Sequence, residues 1–399
     1  MKKTMSITPE GTRDLLFEEC YARRDTEREL TGLFEQRGFS EVMTPGVEFF
    51  DVFQNGWATM PAENMYKLSD NKGRLLVLRP DSTTPIARMA ATRLKSALRP
   101  LRLYYAQNVY HLNHGLSGHN DQEFQAGVEL IGAAGERADL EVISLAAESL
   151  KRCAAGDFRI ELGHVGVFRA LVRELNADGE TEAQLHTLIE TKNYGALSAL
   201  LDTLPKSETV DAIRRLPRLF GGEEVLAAAG AFCRGEETRE ALSYLSRLYQ
   251  ALCRLGLKEQ VMIDLGLVHR NEYYTGVIFR GYMEGSGETV VSGGRYDALL
   301  SQFGESLPAT GFAVNVDALT AVRLRAGDTD GTLVPDVLVF AENGCETEGL
   351  RRVAALGDEG LIVEFSVFDT LEASLQYAGD RGIARVFAVS ETDTAVYDL

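Results

Sequence analysis

The chain has 399 residues, 45% hydrophobic and 25% charged, a composition typical of a globular protein with two or three folding units. The formal net charge is −18. Because binding to a nucleic-acid backbone requires Lys and Arg to displace counterions, this charge argues against RNA or DNA as the main partner. No apolar run approaches the ~18 residues of a membrane span, and the first residues lack a signal-peptide core. Scattered cysteines without CxxC or metal spacing predict reduced thiols and a cytoplasmic location.

The first part of the chain predicts helices and strands in alternation. Apolar residues at helical spacing indicate helices, and β-branched or aromatic runs indicate strands. In chain order we expect a helix at 16–37, a strand at 39–45, strands at 101–112 and 122–131, and a helix at 138–155. The long polar loop between the two middle strands predicts an antiparallel hairpin.

The rest of the chain predicts a helical segment and a second domain. Residues 168–255 are rich in Ala, Leu, Glu and Arg at helical spacing, and predict a mostly helical insertion. A β hairpin over 261–283, strands at 289–291 and 310–316, and a helix at 317–325 follow. We therefore expect a domain over 1–325, a linker over 326–334, and a small, mainly parallel β-α-β-α-β domain over 335–399.

Four short motifs resemble those of the histidyl-tRNA synthetases. RPDST at 79–83 resembles the family's RPEGT, and QAGVE at 125–129 resembles the end of class II motif 2. YYTG at 273–276 and GGRYD at 293–297 resemble the histidine-binding stretch and the glycine-rich strand beyond it. The resemblance implies an α+β fold with a class II synthetase-like antiparallel sheet flanked by helices. It also implies a dimer formed through the first helix and strand.

Within these motifs lies a candidate histidine pocket. Such a pocket needs a carboxylate for the α-ammonium group, an amide, and aromatic walls with hydroxyl groups, and these polar groups are costly to bury unless satisfied. The candidates are Asp81, Thr83, Gln125, Glu129, Tyr273 and Tyr274. The resemblance implies that the first three hold the histidine backbone and the last three surround the imidazole. For any one residue an ordinary hydrogen bond within a strand is the simpler interpretation, but six in family order favour a pocket.

The positions that would bind ATP have changed. The family's motif 2, FRxERP, corresponds to YHLNHG at 110–115, which places His111 at its first arginine. RGLDYY corresponds to HRNEYY at 269–274, so the catalytic arginine falls on His269, with Arg270 one place later. Motif 3 ends in Ala318 instead of arginine. Because losing one fixed stabiliser of transition-state charge costs on the order of 10²–10³ in rate, we predict no adenylation activity.

The histidines of the motif 2 loop suggest a metal site as an alternative. His111, His114 and His119 lie close to Asp121 and Glu123, and imidazole with carboxylate can bind zinc. The spacing matches no standard template, so a polar, solvent-exposed loop that no longer has phosphate to bind is the favoured interpretation. We therefore expect no metal and no cofactor.

The last domain resembles a shortened anticodon-binding domain with the wrong charge for RNA. Residues 335–399 contain 13 Asp and Glu, four Arg and no Lys, a net charge of −9. Since RNA binding needs the opposite sign, we expect no tRNA partner. Packing against the same chain or a protein partner is the alternative role.

Over residues 6–325 the chain is similar to the regulatory subunits of short-form ATP phosphoribosyltransferase, a family of synthetase paralogues in histidine biosynthesis. Many members end near the linker, so the last domain is expected to be a departure. The resemblance implies no catalysis of its own, activation of a short catalytic subunit in a hetero-oligomer, and feedback inhibition by L-histidine. Two alternatives stay open: an active histidyl-tRNA synthetase, and a synthetase-like scaffold that binds another small molecule.

Overall fold

The computed structural model describes residues 6–54, 60–113, 120–153, 156–267, 273–328 and 333–399. They form two units, residues 1–329 and 330–399. The helices of the first unit are α1 Phe17–Gln36, α2 Thr83–Thr92, α3 Glu136–Arg152, α4 Val165–Leu175, α5 Gly179–Glu190, α6 Tyr194–Thr203, α7 Glu208–Arg215, α8 Glu224–Gly230, α9 Glu236–Leu252 and α10 Val316–Ala326. No helix in these ranges is both long and apolar enough to cross a bilayer.

The strands of the first unit are β1 Ser40–Glu41, β2 Val47–Phe49, β3 Lys67–Ser69, β4 Leu75–Leu78, β5 Leu101–Tyr110, β6 Gln122–Ile131, β7 Phe158–His164, β8 Phe220–Gly221, β9 Val261–Asp264, β10 Val277–Met283, β11 Val291–Arg295 and β12 Ala309–Asn315. Within the described residues, nine of them form one sheet in the order β1-β5-β6-β12-β11-β10-β7-β9-β8. The middle of this sheet, β5 to β7, is antiparallel throughout. The α+β architecture predicted from the sequence is thus confirmed.

The two faces of the large sheet have different surroundings. Helices α1, α3 and α10 cover one face, where the ring of Phe34 lies 6.0 Å from that of Tyr104 and 5.9 Å from that of Phe312, centroid to centroid. Helix α2 contributes Ile86 to a smaller apolar cluster that contains Tyr105 of β5. Apolar burial therefore fixes the sheet from one side and leaves part of the other side for a polar site.

Two predictions about strands were wrong. The hairpin over 261–283 does not form, because β9 pairs in parallel with β7 while β10 pairs with the other edge of β7. Alternation of apolar residues identifies a strand but not its neighbour. The strand predicted at 39–45 is only two residues long. Its start is held by the Phe39 amide, which donates to the Phe34 carbonyl of α1 (3.1 Å).

After β1, the chain is held beside β5 by hydrogen bonds from the buried side chain of Arg79. The guanidinium of Arg79 donates to the carbonyl oxygens of Thr44 (2.8 Å), Pro45 (3.2 Å) and Asn108 (2.6 Å from Nη2). It therefore joins β5 to the segment that leads into β2. The sheet β2-β4-β3 on the other side of this segment was not predicted, since its strands are only three or four residues long.

The second unit is a four-stranded α/β layer within the described residues. Its elements are β13 Val337–Ala341, α11 Glu346–Asp358, β14 Val363–Phe365, α12 Leu371–Arg381, β15 Arg385–Val389 and β16 Thr394–Asp398. The strand order is β14-β13-β15-β16, and β13 pairs in parallel with both β14 and β15. The antiparallel strand β16, most of whose residues are exposed, was not predicted.

Replacing Arg79 with Met should lower the free energy of unfolding by about 3 kcal/mol, since each buried carbonyl left unsatisfied costs about 1–3 kcal/mol. Urea unfolding followed by circular dichroism measures this. The control is Arg173→Met, which removes an exposed ion pair to Glu237 and should change stability by less than about 0.5 kcal/mol. Equal losses in both variants would contradict the role assigned to Arg79.

Candidate functional site

A cavity of about 1010 Å³ lies on the face of the large sheet opposite α1. Alternate residues of β6, namely Glu123, Gln125 and Glu129, point into it. Gly311 of β12 lies beside Glu129 in the strand register, and Asn315 lies beside Gln125. The floor is therefore built from one face of neighbouring strands, which fixes its side chains relative to one another.

All six residues proposed from the sequence line this cavity: Asp81, Thr83, Gln125, Glu129, Tyr273 and Tyr274. They come from three separate parts of the fold. Asp81 precedes helix α2 and Thr83 begins it, so Thr83 is not a strand residue. Gln125 and Glu129 lie on β6, and the two tyrosines lie just before β10. The fold brings together what the sequence separates by nearly 200 residues.

Glu129 is the most buried carboxyl group of the cavity, with 1% of its surface exposed. The hydroxyl group of Tyr296 donates a hydrogen bond to it, and Thr83 donates another. Burial raises its pKa to about 8, against the two hydrogen bonds, which lower it; the charge of Asp81 raises it further. A Cβ atom at position 311 would collide with this carboxyl group, which is why glycine is needed there.

Asp81 is held in place by the first turn of helix α2. Its two carboxylate oxygens accept hydrogen bonds from the backbone amide and the hydroxyl group of Thr84, both 2.7 Å long. Burial raises the pKa of Asp81, although these bonds and the charge of Arg79 lower it. Two carboxyl groups of raised pKa in one cavity favour a ligand that brings a positive charge.

Aromatic rings form one wall of the cavity. The rings of Tyr273 and Tyr274 lie 4.8 Å apart, and that of Tyr273 lies 5.8 Å from Tyr296 in an edge-to-face arrangement, centroid to centroid. Each of the three rings is at most 5% exposed. Rings of this kind can enclose a planar group such as an imidazole while their hydroxyl groups bind its nitrogen atoms.

The opposite end of the cavity contains the altered ATP positions. His111 and Ala318 line it together with Glu123, Asp317 and Glu288. Burial raises the pKa of Glu123 to about 7, and the charges of Asp317 and Glu288 raise it further. Among the described residues that line the whole cavity Arg13 is the one permanent cation, against six carboxyl groups, of which Glu123, Asp317 and Glu288 lie at this end. This end is therefore suited to repel phosphate rather than to bind it.

Some predicted positions lie outside the described residues. These are His269 and Arg270, and also His114 and His119 of the proposed metal loop. The described ranges, which include His111, contain no group of three or more residues suited to hold a metal ion.

Sequence reasoning missed several lining residues. Tyr105 of β5 lies opposite Gly127 in the register with β6, so strand alternation could have placed it in the cavity. Tyr296 belongs to the GGRYD motif, but its contact with Glu129 follows only from the fold. His186 and Glu190 of helix α5 also line the cavity. No sequence signal indicates that the helical insertion reaches it.

The chain matches known proteins along most of its length. The histidyl-tRNA synthetase family model matches residues 11–319. A Clostridium kluyveri protein named ATP phosphoribosyltransferase regulatory subunit is 40% identical, over 94% of this chain and 97% of its own length. One of the same name from Bacillus thuringiensis is 36% identical, over 100% of this chain and 95% of its own length. A Bacillus halodurans crystal structure, described as an ATP phosphoribosyltransferase regulatory subunit/histidyl-tRNA synthetase, superposes with a TM-score of 0.85 at 31% identity, covering 98% of this chain and 99% of that one.

The fold defines a class II synthetase-like protein, and its cavity is acidic and lined by tyrosine rings. The chain belongs to the histidyl-tRNA synthetase family and, within it, to the ATP phosphoribosyltransferase regulatory subunits. The expectation that the last domain departs from this family was wrong for these relatives, since the Bacillus thuringiensis alignment spans the whole chain.

Replacing Glu129 with Gln should stabilise the protein increasingly as the pH rises. The folded pKa of about 8 lies above the ordinary value of 4.5, so the stability contributed by the protonated group is complete below about pH 4.5 and lost as the pH rises through 8. At pH 9 we expect the free energy of unfolding of Glu129→Gln to exceed that of the wild type by about 2 kcal/mol, the scale of an unpaired buried polar group. At pH 5 the difference should be much smaller.

Urea unfolding at pH 5, 7 and 9 measures this difference. The control is Glu18→Gln, at an exposed position of α1, which should follow the wild type at every pH. A constant difference between Glu129→Gln and the wild type would contradict the burial of a titrating carboxyl group.

Proposed function

We propose that this chain is a regulatory subunit without catalysis of its own, which activates the short catalytic subunit of ATP phosphoribosyltransferase and senses L-histidine in the cavity. The names of the relatives support the assignment to that complex. The conversion of a synthetase site into a binding site supports the absence of catalysis. Feedback by histidine would then act at the first step of histidine biosynthesis.

One observation carries this proposal: the cavity has carboxyl groups at both ends, and tyrosine rings accompany them at one end. At one end Asp81 and Glu129 lie beside tyrosine rings, a set that suits an ammonium group and an imidazole. At the other end Glu123 and Asp317 stand where a nucleotide would need cations. A protein with this cavity can bind histidine but cannot stabilise charge developing on a phosphate.

The chemistry of binding follows from the raised pKa values. The α-ammonium group of histidine supplies the positive charge that Asp81 lacks, and the amide of Gln125 can accept or donate beside it. Gln125 is already fixed, since its amide donates to Glu123 (2.6 Å). Glu129 can accept from an imidazole N–H while Tyr296 holds its other side.

Self-association as a class II-like dimer is also part of the proposal. Large apolar side chains are exposed around α1 and β1, including Phe17 (75%), Met43 (75%) and Leu16 (59%). Leu16 and Phe17 are adjacent at the start of α1, and exposed apolar patches are typical of protein interfaces. A second copy covering them is consistent with the dimer that the resemblance implies.

The experiment that tests the function is an assay of phosphoribosyl-ATP formation by the short catalytic subunit, with and without this chain. We expect a large rise in rate on adding the chain, and suppression of that rise by histidine. No rise, together with no co-elution of the two chains, would contradict the proposal.

Replacing Asp81 with Asn should raise the histidine concentration needed for half inhibition by at least about tenfold, the scale of a charge-assisted hydrogen bond of ~1.5–3 kcal/mol. The amide can still cap helix α2, so the fold is kept. The control is Asp70→Asn, in an exposed turn closed by Arg74. An unchanged response in Asp81→Asn would place the sensor elsewhere.

A second candidate function is active histidyl-tRNA synthetase, because the name of the Bacillus halodurans structure includes that activity. Histidine-dependent ATP–pyrophosphate exchange separates the two. We expect none above background. Exchange at a rate proportional to enzyme concentration would favour the synthetase and overturn the regulatory assignment.

A further inference from the structure

An ion pair between two buried side chains lies behind the cavity. Nη2 of Arg295, on β11, lies 2.8 Å from Oδ1 of Asp139 on α3, and its Nε donates to Oδ2 of Asp139 (2.9 Å). Asp139 is 0% and Arg295 6% exposed. The same guanidinium donates to the Gly135 carbonyl at the start of α3 (3.2 Å). Removing Arg295 would leave the Asp139 carboxylate buried without its cation, whereas Arg295 has a second, more exposed partner in Asp297 (3.0 Å).

On the cavity side, this ion pair positions the aromatic wall. The Arg295 carbonyl accepts a hydrogen bond from the Thr275 amide (2.7 Å), which fixes the segment that carries Tyr273 and Tyr274. The next residue after Arg295 is Tyr296, whose hydroxyl group donates to Glu129. The backbone of Arg295 therefore holds the segment with Tyr273 and Tyr274, and also continues into Tyr296, which contacts Glu129.

On the far side, the pair contacts the helical insertion. The hydroxyl group of Tyr244, on α9, donates to Oδ2 of Asp139, the oxygen that also accepts from Arg295. The ring of Tyr244 packs edge-on against His164 at 5.7 Å. Val165, which follows His164, donates its amide to the carbonyl of Gly276 (3.0 Å). Residues 273–276 are thus held by two backbone hydrogen bonds, one to Arg295 and one to Val165, and Tyr244 packs beside both partners through Asp139 and His164.

The helical insertion also contacts the cavity directly, through a helix other than α9. Helix α9 packs on α3, β7 and β9, and so joins the insertion to the sheet. Helix α5, from the same insertion, contributes His186, Thr187 and Glu190 to the cavity lining. A ligand in the cavity can therefore contact the insertion directly through α5, and indirectly through Arg295, Asp139 and α9.

We propose that the helical insertion is the ligand-responsive element of this chain, and that Tyr244 couples it to the cavity. When a ligand fixes Glu129 and the aromatic wall, Arg295 and Asp139 are held in one arrangement, and the hydrogen bond from Tyr244 persists. Helix α9 then packs more stably on α3. By linkage, if histidine binding favours the packed state of α9, then a change that favours this packed state raises the affinity for histidine. This inference rests on the proposed binding of histidine.

The test combines hydrogen–deuterium exchange with calorimetry on the full chain, with L-histidine as the ligand. Histidine should slow exchange of the amides in residues 236–252 as well as those of β6. In Tyr244→Phe, slowing in β6 should remain while slowing in 236–252 is lost. The affinity for histidine should fall by about fivefold, the lower end of typical coupling between sites.

The matched control is Tyr249→Phe, which removes a hydroxyl group from the same helix. Tyr249 faces Cys253 and Glu224 rather than Asp139, so this variant should keep both the affinity and the slowing in 236–252. A purely structural role for Tyr244 would lower the melting temperature without changing the response to histidine. That result would overturn the coupling.

The wild-type measurement keeps the test decisive even if Tyr244→Phe does not fold. Histidine binding seen by calorimetry with unchanged exchange in 236–252 would overturn the coupling and leave the proposed function intact. No histidine binding at millimolar concentration would overturn the proposed function, and the coupling with it.

Discussion

A carboxyl group buried in the middle of a β-sheet needs space, hydrogen-bond donors and a counter-charge, and the fold supplies the first two to Glu129. Gly311 leaves the space, and Tyr296 and Thr83 supply the donors. Burial raises the pKa of Glu129, and among the described lining residues no arginine or lysine lies at this end of the cavity, so a cationic ligand would stabilise its carboxylate. The rest of the site follows from this need: the tyrosine wall, the second carboxyl group of Asp81, and the buried pair that holds the wall in place.

The cavity also suggests how a synthetase-like fold could bind an amino acid without activating it with ATP. Recognition of an amino acid depends on a few polar groups in a rigid frame, and the six residues proposed for that role line one cavity. Activation of its carboxylate depends on fixed cations around a triphosphate. At that end His111 and Ala318 stand beside Glu123 and Asp317, whose charges oppose phosphate. Under the proposed function, keeping the first set and losing the second would turn a catalytic site into a binding site, which is what a regulatory subunit requires.

The sequence predicted the positions of helices and strands better than it predicted which strands pair with each other. Strand β6 and helix α10 were placed within one residue of their ends, because local sequence pattern is enough to locate such elements. The pairing of β9 with β7 was missed, because partner choice depends on packing across the sheet rather than on local pattern. The six pocket residues were found through short motifs, and the structure brings them into one cavity. Tyr244 and His186 carry no such motif, since their contacts depend on how the insertion packs on α3 and beside the sheet.

Isothermal titration of the isolated chain with L-histidine, and separately with ATP and Mg²⁺, tests most directly whether the cavity kept one half of its ancestral function and lost the other. The account predicts saturable binding of histidine that is weakened in Asp81→Asn, and no binding of ATP at the same concentrations. Saturable binding of ATP, with or without histidine, would contradict it, because the acidic end of the cavity would then hold a triphosphate.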